Sequence, residues 1–586
     1  MLRQLYRISM FSKKHITVYV LAILLPAVLR AQTQSVIIPS GIYIVQSQGS
    51  FLTGSNFFMN GSYKQNAGVF TFGGSGNIRL DGSVPIAFNR VTVASGINAT
   101  VNTAGQTINK VLLSNGTLNA NGNLTLLSNA STTALVDGSG TGSVLGNLVV
   151  ERYIDTAYGY RMISSPFQYD TVNAFSGRIN LSASFPTFYR YDESDTTNGW
   201  EIYTAMGDTV KPGYGYAANF GSSTAADTMS VAGVVNNGSL SLTLHNHNNT
   251  YTLGYTLIGN PYPSPIDWNA SSGWTKTNID NAIYYFDNSD TDQYTGVYSS
   301  YVNGVSSDGV ANNVIPAMQG FFVHVTNGTY PVTATLAMNN NVRVDNFSPF
   351  YHKPPKGDSR PLLRLNAKYS GEAAVHDATV IYFDESATLN FETEMDALKL
   401  MNTDKRAPNI YILTPDAQKL AISAMPTPSD SVTIIPVGII TGKDERVVFN
   451  ASSLGGLPYG MHVYFADALS NTIQDLASKP QYQVVLASGE YKNRFSLIFS
   501  KKDITNTALT ANGLNAYSSN GKFFVNLDIN TGDKGELVIV NTLGQMVSKQ
   551  QLTGYGYHEI PATFAPGVYI LSFYSGNGVY SKKLPL

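Results

Sequence analysis

The sequence predicts an all-β, multidomain protein, and three observations support this prediction. Short runs of β-forming residues recur along the chain, such as Val91-Thr-Val93 and Val432-Thr-Ile-Ile-Pro436, and Gly, Asn, Asp and Pro separate them. Charged residues make up only 13% of the chain, which is low for a helical cytosolic enzyme. The 586 residues include no Cys, so stability must come from several packed cores rather than from disulfides.

The N-terminal segment 1–31 has the features of a secretory signal peptide. An apolar stretch at 16–25 is too short to span a bilayer comfortably, and cleavage after Ala31 leaves Gln32 as the first residue. An uncleaved anchor is the alternative. No later segment has about 18 unbroken apolar residues, so no transmembrane helix is expected. The basic region of the signal consists of Arg3, Arg7, Lys13 and Lys14.

The charge balance argues against nucleic acid as a partner. The full chain has 37 basic and 39 acidic residues, a formal net charge of −2. Removal of the signal peptide takes away five basic residues and no acidic ones, which leaves 32 basic against 39 acidic residues and a charge of −7. Phosphate binding requires clustered Lys and Arg, so this mildly acidic chain is not expected to bind nucleic acid.

Residues 35–150 are predicted to form a parallel β-solenoid. The segment is rich in Gly, Asn, Ser and Thr, and apolar triplets such as Val111-Leu-Leu113 and Leu124-Thr-Leu126 alternate with turn pairs such as Asn121-Gly122. Each turn of a β-helix contributes short strands and polar corners, which fits this pattern. The period is irregular, so an open β-sandwich is the alternative.

Residues 151–250 and 251–350 are predicted to form two related β units. Three sequence blocks recur in the same order. The first two recur at an offset of 95 residues, and the third recurs about ten residues beyond that offset. The matching blocks are Tyr160-Arg-Met-Ile-Ser-Ser-Pro-Phe167 with Tyr255-Thr-Leu-Ile-Gly-Asn-Pro-Tyr262, Phe188-Tyr-Arg-Tyr191 with Ile283-Tyr-Tyr-Phe286, and Pro212-Gly-Tyr-Gly-Tyr216 with Pro316-Ala-Met-Gln-Gly-Phe321.

Residues 358–502 are predicted to form a β-sandwich module that follows a short linker. The linker, Lys353-Pro-Pro-Lys-Gly357, contains adjacent prolines, which stiffen and extend a chain. Late in the module, Tyr482-Gln-Val-Val-Leu486 and Arg494-Phe-Ser-Leu-Ile-Phe499 alternate in the way that sandwich strands do.

The C-terminal segment 514–586 is predicted to form a small Ig-like β-sandwich. Its specific features are Asn541-Thr-Leu-Gly-Gln545 with its Gly544, then Gly567-Val-Tyr569, then the pair Lys582-Lys583. In this order they resemble the type A C-terminal sorting domain that Bacteroidetes proteins present to the type IX secretion system. The resemblance implies that this machinery is a partner, that the protein reaches the cell surface or the medium, and that the tail is usually removed. An ordinary terminal sandwich is the alternative.

Acidic loops in the two repeats are the candidate metal sites. Several oxygen ligands in one loop suit Ca²⁺, which takes six to eight of them. The spacing is not that of an EF-hand, and Asp and Asn are also favoured at solvated hairpin tips. No other cofactor is expected. The candidate ligands are Asp192 and Asp195 in the first repeat, and Asp287, Asp290 and Asp292 in the second.

Aromatic residues in the repeats are the candidate ligand-binding residues. An exposed Trp pairs an apolar face with a polar tip and can stack on a sugar ring, although alternate aromatics in strands more often pack in a core. The three candidates for glycan binding are Trp200, Trp268 and Trp274.

The sequence favours a non-catalytic surface protein that mediates adhesion or binds a glycan. It contains no Gly-x-Ser-x-Gly, His-Glu-x-x-His or phosphate-loop motif, and the same-face acids Glu392, Glu394 and Asp396 are expected to lie on a solvated edge. Gly259-Asn-Pro-Tyr-Pro263 is similar to segments of adhesin-like surface proteins of unassigned function. The alternatives are a secreted polysaccharide-degrading enzyme on a β-helix, which needs acids on consecutive turns, and a purely structural matrix component.

Overall fold

The computed structural model describes residues 35–348 apart from 186, residues 360–504 apart from 373–374, 429–431 and 471, and residues 514–586 apart from 520–521, 528–533, 554–555 and 577. The predicted signal peptide and the Pro-containing linker lie outside the described residues. Among the described residues, no helix is both long and apolar enough to cross a membrane.

The regular secondary structure of the described residues is almost entirely β-strand, which confirms the predicted fold class. They divide into two compact units, one within Met1–Ile279 and Val314–Tyr351, the other within Asp280–Asn313 and His352–Leu586. The described helical segments are two short 3-10 helices, Val172–Phe175 and Asn340–Val342.

The first strands form the predicted parallel β-solenoid. Strands of successive turns pair in register and in parallel, as Ser50 does with Val69 and Phe70 with Val91, so each turn takes roughly 20 residues at these positions. The apolar triplets place alternate side chains inside, where they stack along the solenoid axis. The strands are β1 (Ser35–Ile38), β2 (Tyr43–Gln46), β3 (Ser50–Thr53), β4 (Asn56–Met59), β5 (Ser62–Gln65), β6 (Val69–Phe72), β7 (Gly76–Gly82), β8 (Ala87–Val93), β9 (Ile97–Val101), β10 (Gln106–Ser114), β11 (Thr117–Asn119), β12 (Leu124–Leu126), β13 (Ser128–Asn129), β14 (Thr132–Thr133), β15 (Leu135–Val136), β16 (Ser143–Leu145) and β17 (Leu148–Ile154).

The repeat region follows with corresponding strand pairs in both repeats. The first strand of each repeat pairs antiparallel with a late strand, β18 with β23 and β26 with β33. Short pairs also correspond, β19 with β22 and β27 with β32. The strands are β18 (Tyr158–Ser164), β19 (Asp170–Thr171), β20 (Phe188–Tyr191), β21 (Trp200–Ile202), β22 (Thr209–Val210), β23 (Gly215–Ser222), β24 (Asp227–Gly233), β25 (Leu240–Asn246), β26 (Tyr255–Gly259), β27 (Ile266–Asp267), β28 (Trp274–Thr277), β29 (Ile279–Asn288), β30 (Gly296–Val302), β31 (Val305–Ser306), β32 (Val314–Ile315), β33 (Gly320–Val325) and β34 (Val332–Met338).

The solenoid and the first repeat share a sheet. The last solenoid strand, β17, pairs antiparallel with β24 from Leu148 opposite Gly233 to Ile154 opposite Asp227. The predicted boundary at residue 150 therefore lies inside β17. This strand pairs with the solenoid on one side and with the first repeat on the other, so it belongs to both.

The sandwich module is one long sheet that curls so that its ends pack together. Phe449, near one end, contacts Phe465 and Phe495 near the other, with ring centroids 4.8 and 4.9 Å apart. The strands are β35 (Leu362–Tyr369), β36 (Asp377–Phe383), β37 (Ala397–Leu398), β38 (Asn409–Leu413), β39 (Lys419–Met425), β40 (Thr433–Thr441), β41 (Glu445–Gly455), β42 (His462–Asp467), β43 (Thr472–Asp475), β44 (Gln481–Leu486) and β45 (Gly489–Ser500).

The tail is a sandwich of a three-stranded and a four-stranded sheet around its own core. Phe523, Ile539 and Leu571 are fully buried in that core. The strands are β46 (Leu514–Ser519), β47 (Lys522–Leu527), β48 (Lys534–Asn541), β49 (Met546–Thr553), β50 (Gly556–Pro561), β51 (Val568–Ser575) and β52 (Gly578–Pro585).

Candidate functional site

Four aromatic side chains of the first repeat form a cluster that we call the aromatic platform: Tyr160, Tyr189, Tyr191 and Trp200. They come from β18, β20 and β21, which belong to one sheet with β23. In a strand, alternate residues point to opposite faces. Phe188 points the other way and stacks in the core, whereas the four platform residues are half-buried.

Edge-to-face contacts hold the platform together. The ring centroids of Trp200 and Tyr191 are 4.9 Å apart at 80°, and those of Tyr160 and Tyr189 are 5.9 Å apart. Phe322 is 2% exposed, and its ring centroid lies 5.2 Å from that of Tyr191 and 6.2 Å from that of Trp200. Such pairs stabilise by about 0.5–1.5 kcal/mol beyond burial, so the rings are held in fixed positions.

Trp200 combines a partly exposed ring with an available hydrogen-bond donor. Its backbone N–H donates to Asn198 Oδ1 at 2.7 Å, which fixes the start of β21. Among the described residues, the indole Nε1 has no hydrogen-bond partner, although a buried indole N–H usually finds one. A ligand at the platform can therefore meet both an apolar ring and a hydrogen-bond donor.

The hairpin between β20 and β21 depends on a glycine. Gly199 has φ +78°, and a Cβ at this position would lie 2.8 Å from the ring of Tyr191 and 2.9 Å from Thr252. Only glycine adopts this conformation without strain and leaves room for the ring. The turn therefore allows Tyr191 and Trp200 to pack directly against each other.

Glu193 anchors the hairpin loop to the turn that precedes β26. Its carboxylate accepts hydrogen bonds from the backbone N–H of His247 at 3.0 Å, and its other oxygen lies 2.5 Å from His247 Nδ1. Its carbonyl accepts from Thr252 Oγ1 at 2.8 Å and from Asn249 Nδ2 at 3.0 Å. Because Glu193 is 6% exposed, these bonds are shielded and fix the loop.

The other two candidate tryptophans are not equivalent to Trp200. Trp268 is 1% exposed and lies under the ammonium of Lys276, 3.6 Å from the ring centre, so it offers no face to a sugar. Trp274 packs on Trp268 at 4.9 Å, and its Nε1 donates to the carbonyl of Asp267 at 2.8 Å. This pair belongs to the packing of the second repeat, and Trp268 is removed from the predicted glycan site.

The acidic loop of the first repeat binds its own backbone. Asp192 Oδ1 accepts from the backbone N–H and hydroxyl of Ser194, and Asp195 accepts from Thr197 and from the N–H of Gly199. The hydrogen bonds from Thr197 hold the pKa of Asp195 below its usual value. These contacts are those of a solvated hairpin tip.

The acids of the second repeat also have separate partners. Asp287 lies within β29, Asp290 pairs with Arg406 at 2.8 Å, and Asp292 accepts from Tyr294 and Thr295. Over the residues for which the structure gives positions, there is no group of three or more His, Cys, Asp or Glu side chains that could hold a metal ion. Calcium binding at these loops stays a prediction that no ligand cluster supports.

The acids at 392–396 differ from the expected solvated edge. Asp396 is 1% exposed, and its oxygens accept from the N–H groups of Ala424 at 2.6 Å and Glu392 at 2.7 Å. Burial raises the pKa of Asp396 to about 7. Glu394 is exposed, so the predicted acidic face is split and Asp396 is a structural carboxyl of the sandwich.

The features of the predicted sorting signal lie at turns and at the last strand of the tail. Gly544 has φ +77° in a turn closed by its N–H bond to the carbonyl of Asn541. Gly567 exchanges backbone bonds with Leu586, and the buried Tyr569 donates to the carbonyl of Ala565 at 2.6 Å. On β52, Lys582 lies opposite the buried Leu571, and burial lowers its pKa, whereas Lys583 is exposed.

The sequence did not identify Tyr160 or Glu193 as parts of one site. In the sequence, Tyr160 is marked only by its place in a repeat block, and Glu193 lies unmarked between the candidate ligands Asp192 and Asp195. The burial of Glu193 depends on a contact 54 residues away along the chain. An acid flanked by Asp192 and Asp195 carries no local signal that it alone is buried.

Comparisons with known proteins show one family. A family model described as "Domain of unknown function (DUF8693)" matches residues 61–499, which include the platform but not the tail. No curated protein matches. A solved structure titled "Biofilm associated protein - BSP domain" is similar at 10% identity with a TM-score of 0.14, over 75% of this chain and 95% of that one. A TM-score of this size supports no inference about fold or function.

Proposed function

We propose that this chain, which belongs to the DUF8693 family, is a non-catalytic surface protein that binds a polysaccharide or glycan through the aromatic platform. The observation that carries the proposal is the state of Trp200. Its ring is partly exposed, its position is fixed by Tyr191 and Phe322, and its Nε1 has no hydrogen-bond partner among the described residues.

The chemistry of a pyranose suits this surface. One face of the sugar ring is lined with C–H groups and stacks on an aromatic ring, while its hydroxyls form hydrogen bonds at the edge. Trp200 supplies the ring and an N–H donor, and Tyr160 and Tyr189 extend the surface beside it. Since edge-to-face packing and the Glu193 contacts already order these side chains, binding costs little side-chain entropy.

The absence of a catalytic role is part of the proposal. Between residues 35 and 150 the acids are Asp81 and Asp137. Asp81 accepts from Asn102 Nδ2 at 2.8 Å, and Asp137 accepts from the N–H of Ser139 at 2.8 Å. A glycosidase needs two carboxyls that face each other across a substrate, and these two are used separately.

Export by type IX secretion is the second part of the proposal. Its support is the signal-like N-terminus together with the tail that resembles a sorting domain. Display outside the cell would give the platform access to extracellular polysaccharide or to another cell, which fits a role in adhesion.

Affinity electrophoresis tests the binding proposal. The full chain is run in native gels that contain laminarin, xylan or soluble chitosan, and retardation in at least one gel is expected. Trp200→Ala should weaken that retardation by about tenfold or more, equivalent to about 1.4 kcal/mol, whereas Trp200→Phe should keep part of it. Tyr169→Ala is the matched control, because Tyr169 is 88% exposed and lies outside the platform.

The outcomes separate the candidate roles. Equal loss in the Trp200 and Tyr169 variants contradicts a specific platform. No retardation of the wild-type chain by any polysaccharide favours the structural matrix component instead. If the chain releases reducing sugar from a polysaccharide that retards it, the protein is instead a polysaccharide-degrading enzyme. The same gels with a chelator test whether Ca²⁺ contributes, and platform binding is expected to persist.

A further inference from the structure

The first turn of the solenoid leaves its core open. Strands β1, β2 and β3 pair with the next turn on one side, and no described residue pairs with them on the other. Their inward-facing side chains Ile38, Ile44 and Phe51 stay partly exposed. In the next turn, Met59 and Phe70 occupy the positions equivalent to Ile38 and Phe51 and are 0% exposed. The end of the apolar core therefore faces outward beside a row of open backbone groups.

This end lacks the features that keep natural sheet edges apart. Edge strands are usually protected by Lys, other charges or proline within the strand. No charged residue occurs from Ala31 to Tyr63, and none of the three strands contains proline. On their outer faces, Ile37 is 58% exposed and Leu52 is 64% exposed. The edge is suited to pair with another neutral, apolar edge.

We propose that the open end of the solenoid pairs with the same end of a second copy of the chain, which gives a head-to-head dimer. At the other end, β17 is paired along its whole length with β24, so head-to-tail stacking is blocked there. A contact between identical ends is closed at two copies. One copy is turned over to meet the other, so the two chains wind in opposite directions at the contact and their strands meet antiparallel.

The chain that precedes β1 is too short to cover this end after processing. Cleavage after Ala31, which the sequence predicts and on which this inference rests together with the proposed export, leaves three residues before Ser35. Three extended residues span at most about 10 Å, whereas the open end has three strands. A second copy supplies an edge of the same length, the same apolar character and no opposing charge.

Sedimentation velocity on the processed protein tests the pairing, with the N-terminus read by intact mass. We expect the wild-type chain to have twice the mass of one copy. Ile37→Lys with Leu52→Lys places like charges against each other and should return the single-copy mass. Ser62→Lys with Thr71→Lys adds the same charge one turn further in and should keep the doubled mass. A single-copy mass for a wild-type chain that begins at Gln32 overturns the inference.

Cross-linking gives a second test that does not depend on a destabilising change. Because the chain has no Cys, a single introduced cysteine can form a disulfide only between copies. A two-fold contact of three edge strands places one of them against its own copy, so at least one of Ile37→Cys in β1, Tyr43→Cys in β2 and Leu52→Cys in β3 should give a covalent dimer on mild oxidation, and Thr71→Cys, in the second turn, should not. Cross-linking of Thr71→Cys equal to that of the edge variants, or of none of the variants, overturns the inference. A chain that keeps the segment 1–31 contradicts the proposed cleavage instead, and the cross-linking comparison is then decided on a chain that begins at Gln32.

Discussion

Two buried carboxyls of the sandwich show how neighbouring groups set the charge of a side chain. Asp467 is 0% exposed, but Arg494 donates to both of its oxygens at 2.8 Å and Tyr482 donates at 2.7 Å. Burial alone would raise the pKa of Asp467, and these bonds outweigh burial and lower it. Asp396 is as deeply buried and has only backbone N–H donors, so its pKa is raised. The two carboxyls therefore have opposite effects on the pH dependence of stability.

Asp396 predicts a pH effect on the stability of the sandwich. Its pKa is about 7 in the folded protein and near 3.8 when unfolded. As the pH rises from about 4 to about 7, the unfolded chain loses this proton first, so the free energy of unfolding should fall by up to about 4 kcal/mol. Asp396→Asn should remove this slope and lower stability by about 1–3 kcal/mol, because one N–H loses its acceptor.

Calorimetry from pH 4 to pH 8 measures this effect. The three Trp residues, 200, 268 and 274, lie outside both the sandwich and the tail, so in parallel thermal scans of a chain that ends at residue 512 a transition without a change in Trp fluorescence reports the sandwich. Glu394→Gln is the control, since Glu394 is exposed in the same segment and should leave the slope unchanged. An identical slope in wild type and Asp396→Asn would show that Asp396 is charged throughout this range.

The hairpin of β20 and β21 is the unit that presents Trp200. Two strands joined by a loop are marginally stable alone, so the loop contacts matter. Glu193 connects the loop to the turn that precedes β26 and shields the bonds that it makes. The platform is therefore positioned from both ends, by Phe322 beneath the rings and by Glu193 at the tip.

Glu193→Ala should weaken the platform although Glu193 is not one of its residues. The change leaves the N–H of His247 and its ring without their acceptor, so residues 192–200 should exchange backbone hydrogen faster by about tenfold or more. Polysaccharide retardation should weaken without loss of the global unfolding transition. Asp192→Ala is the control, since the Asp192 carboxylate accepts hydrogen bonds only from its own loop and lies 4.0 Å from the Arg190 guanidinium. Equal exchange in both variants would contradict the role of Glu193.

The sequence predicted elements better than it predicted contacts between them. Apolar triplets and Asn-Gly turns were sufficient for the solenoid, because each strand pairs with a neighbour about one turn away in sequence. The 95-residue repeat likewise predicted corresponding strand pairs. The burial of Trp268 and Asp396 could not be predicted, because it depends on residues from other strands that carry no pattern of their own. Residue type alone identifies Trp200 as a candidate, but not Tyr160, which packs on Tyr189 in the same platform.

The tail is a module that can be removed without opening another core. Its core residues all lie between Leu514 and Leu584, and its two sheets include only strands of the tail. The family match ends at residue 499, before the tail begins. A domain with its own core and sheets can act as an export signal while the remainder of the chain stays folded.

Deletion of the tail should therefore change location and not folding. In a Bacteroidetes host with type IX secretion, the full chain should reach the surface or medium with its last residues removed, as read by intact mass. A chain that ends at residue 512 should remain in the periplasm and still show the unfolding transition of the sandwich. Lys583→Ala tests whether Lys583 itself contributes to export, because this residue is exposed and the core of the tail does not need it. Equal export of the full and shortened chains would show that the tail is an ordinary domain. The proposed surface role would then lose its main support, because the platform would have no demonstrated route to an extracellular ligand.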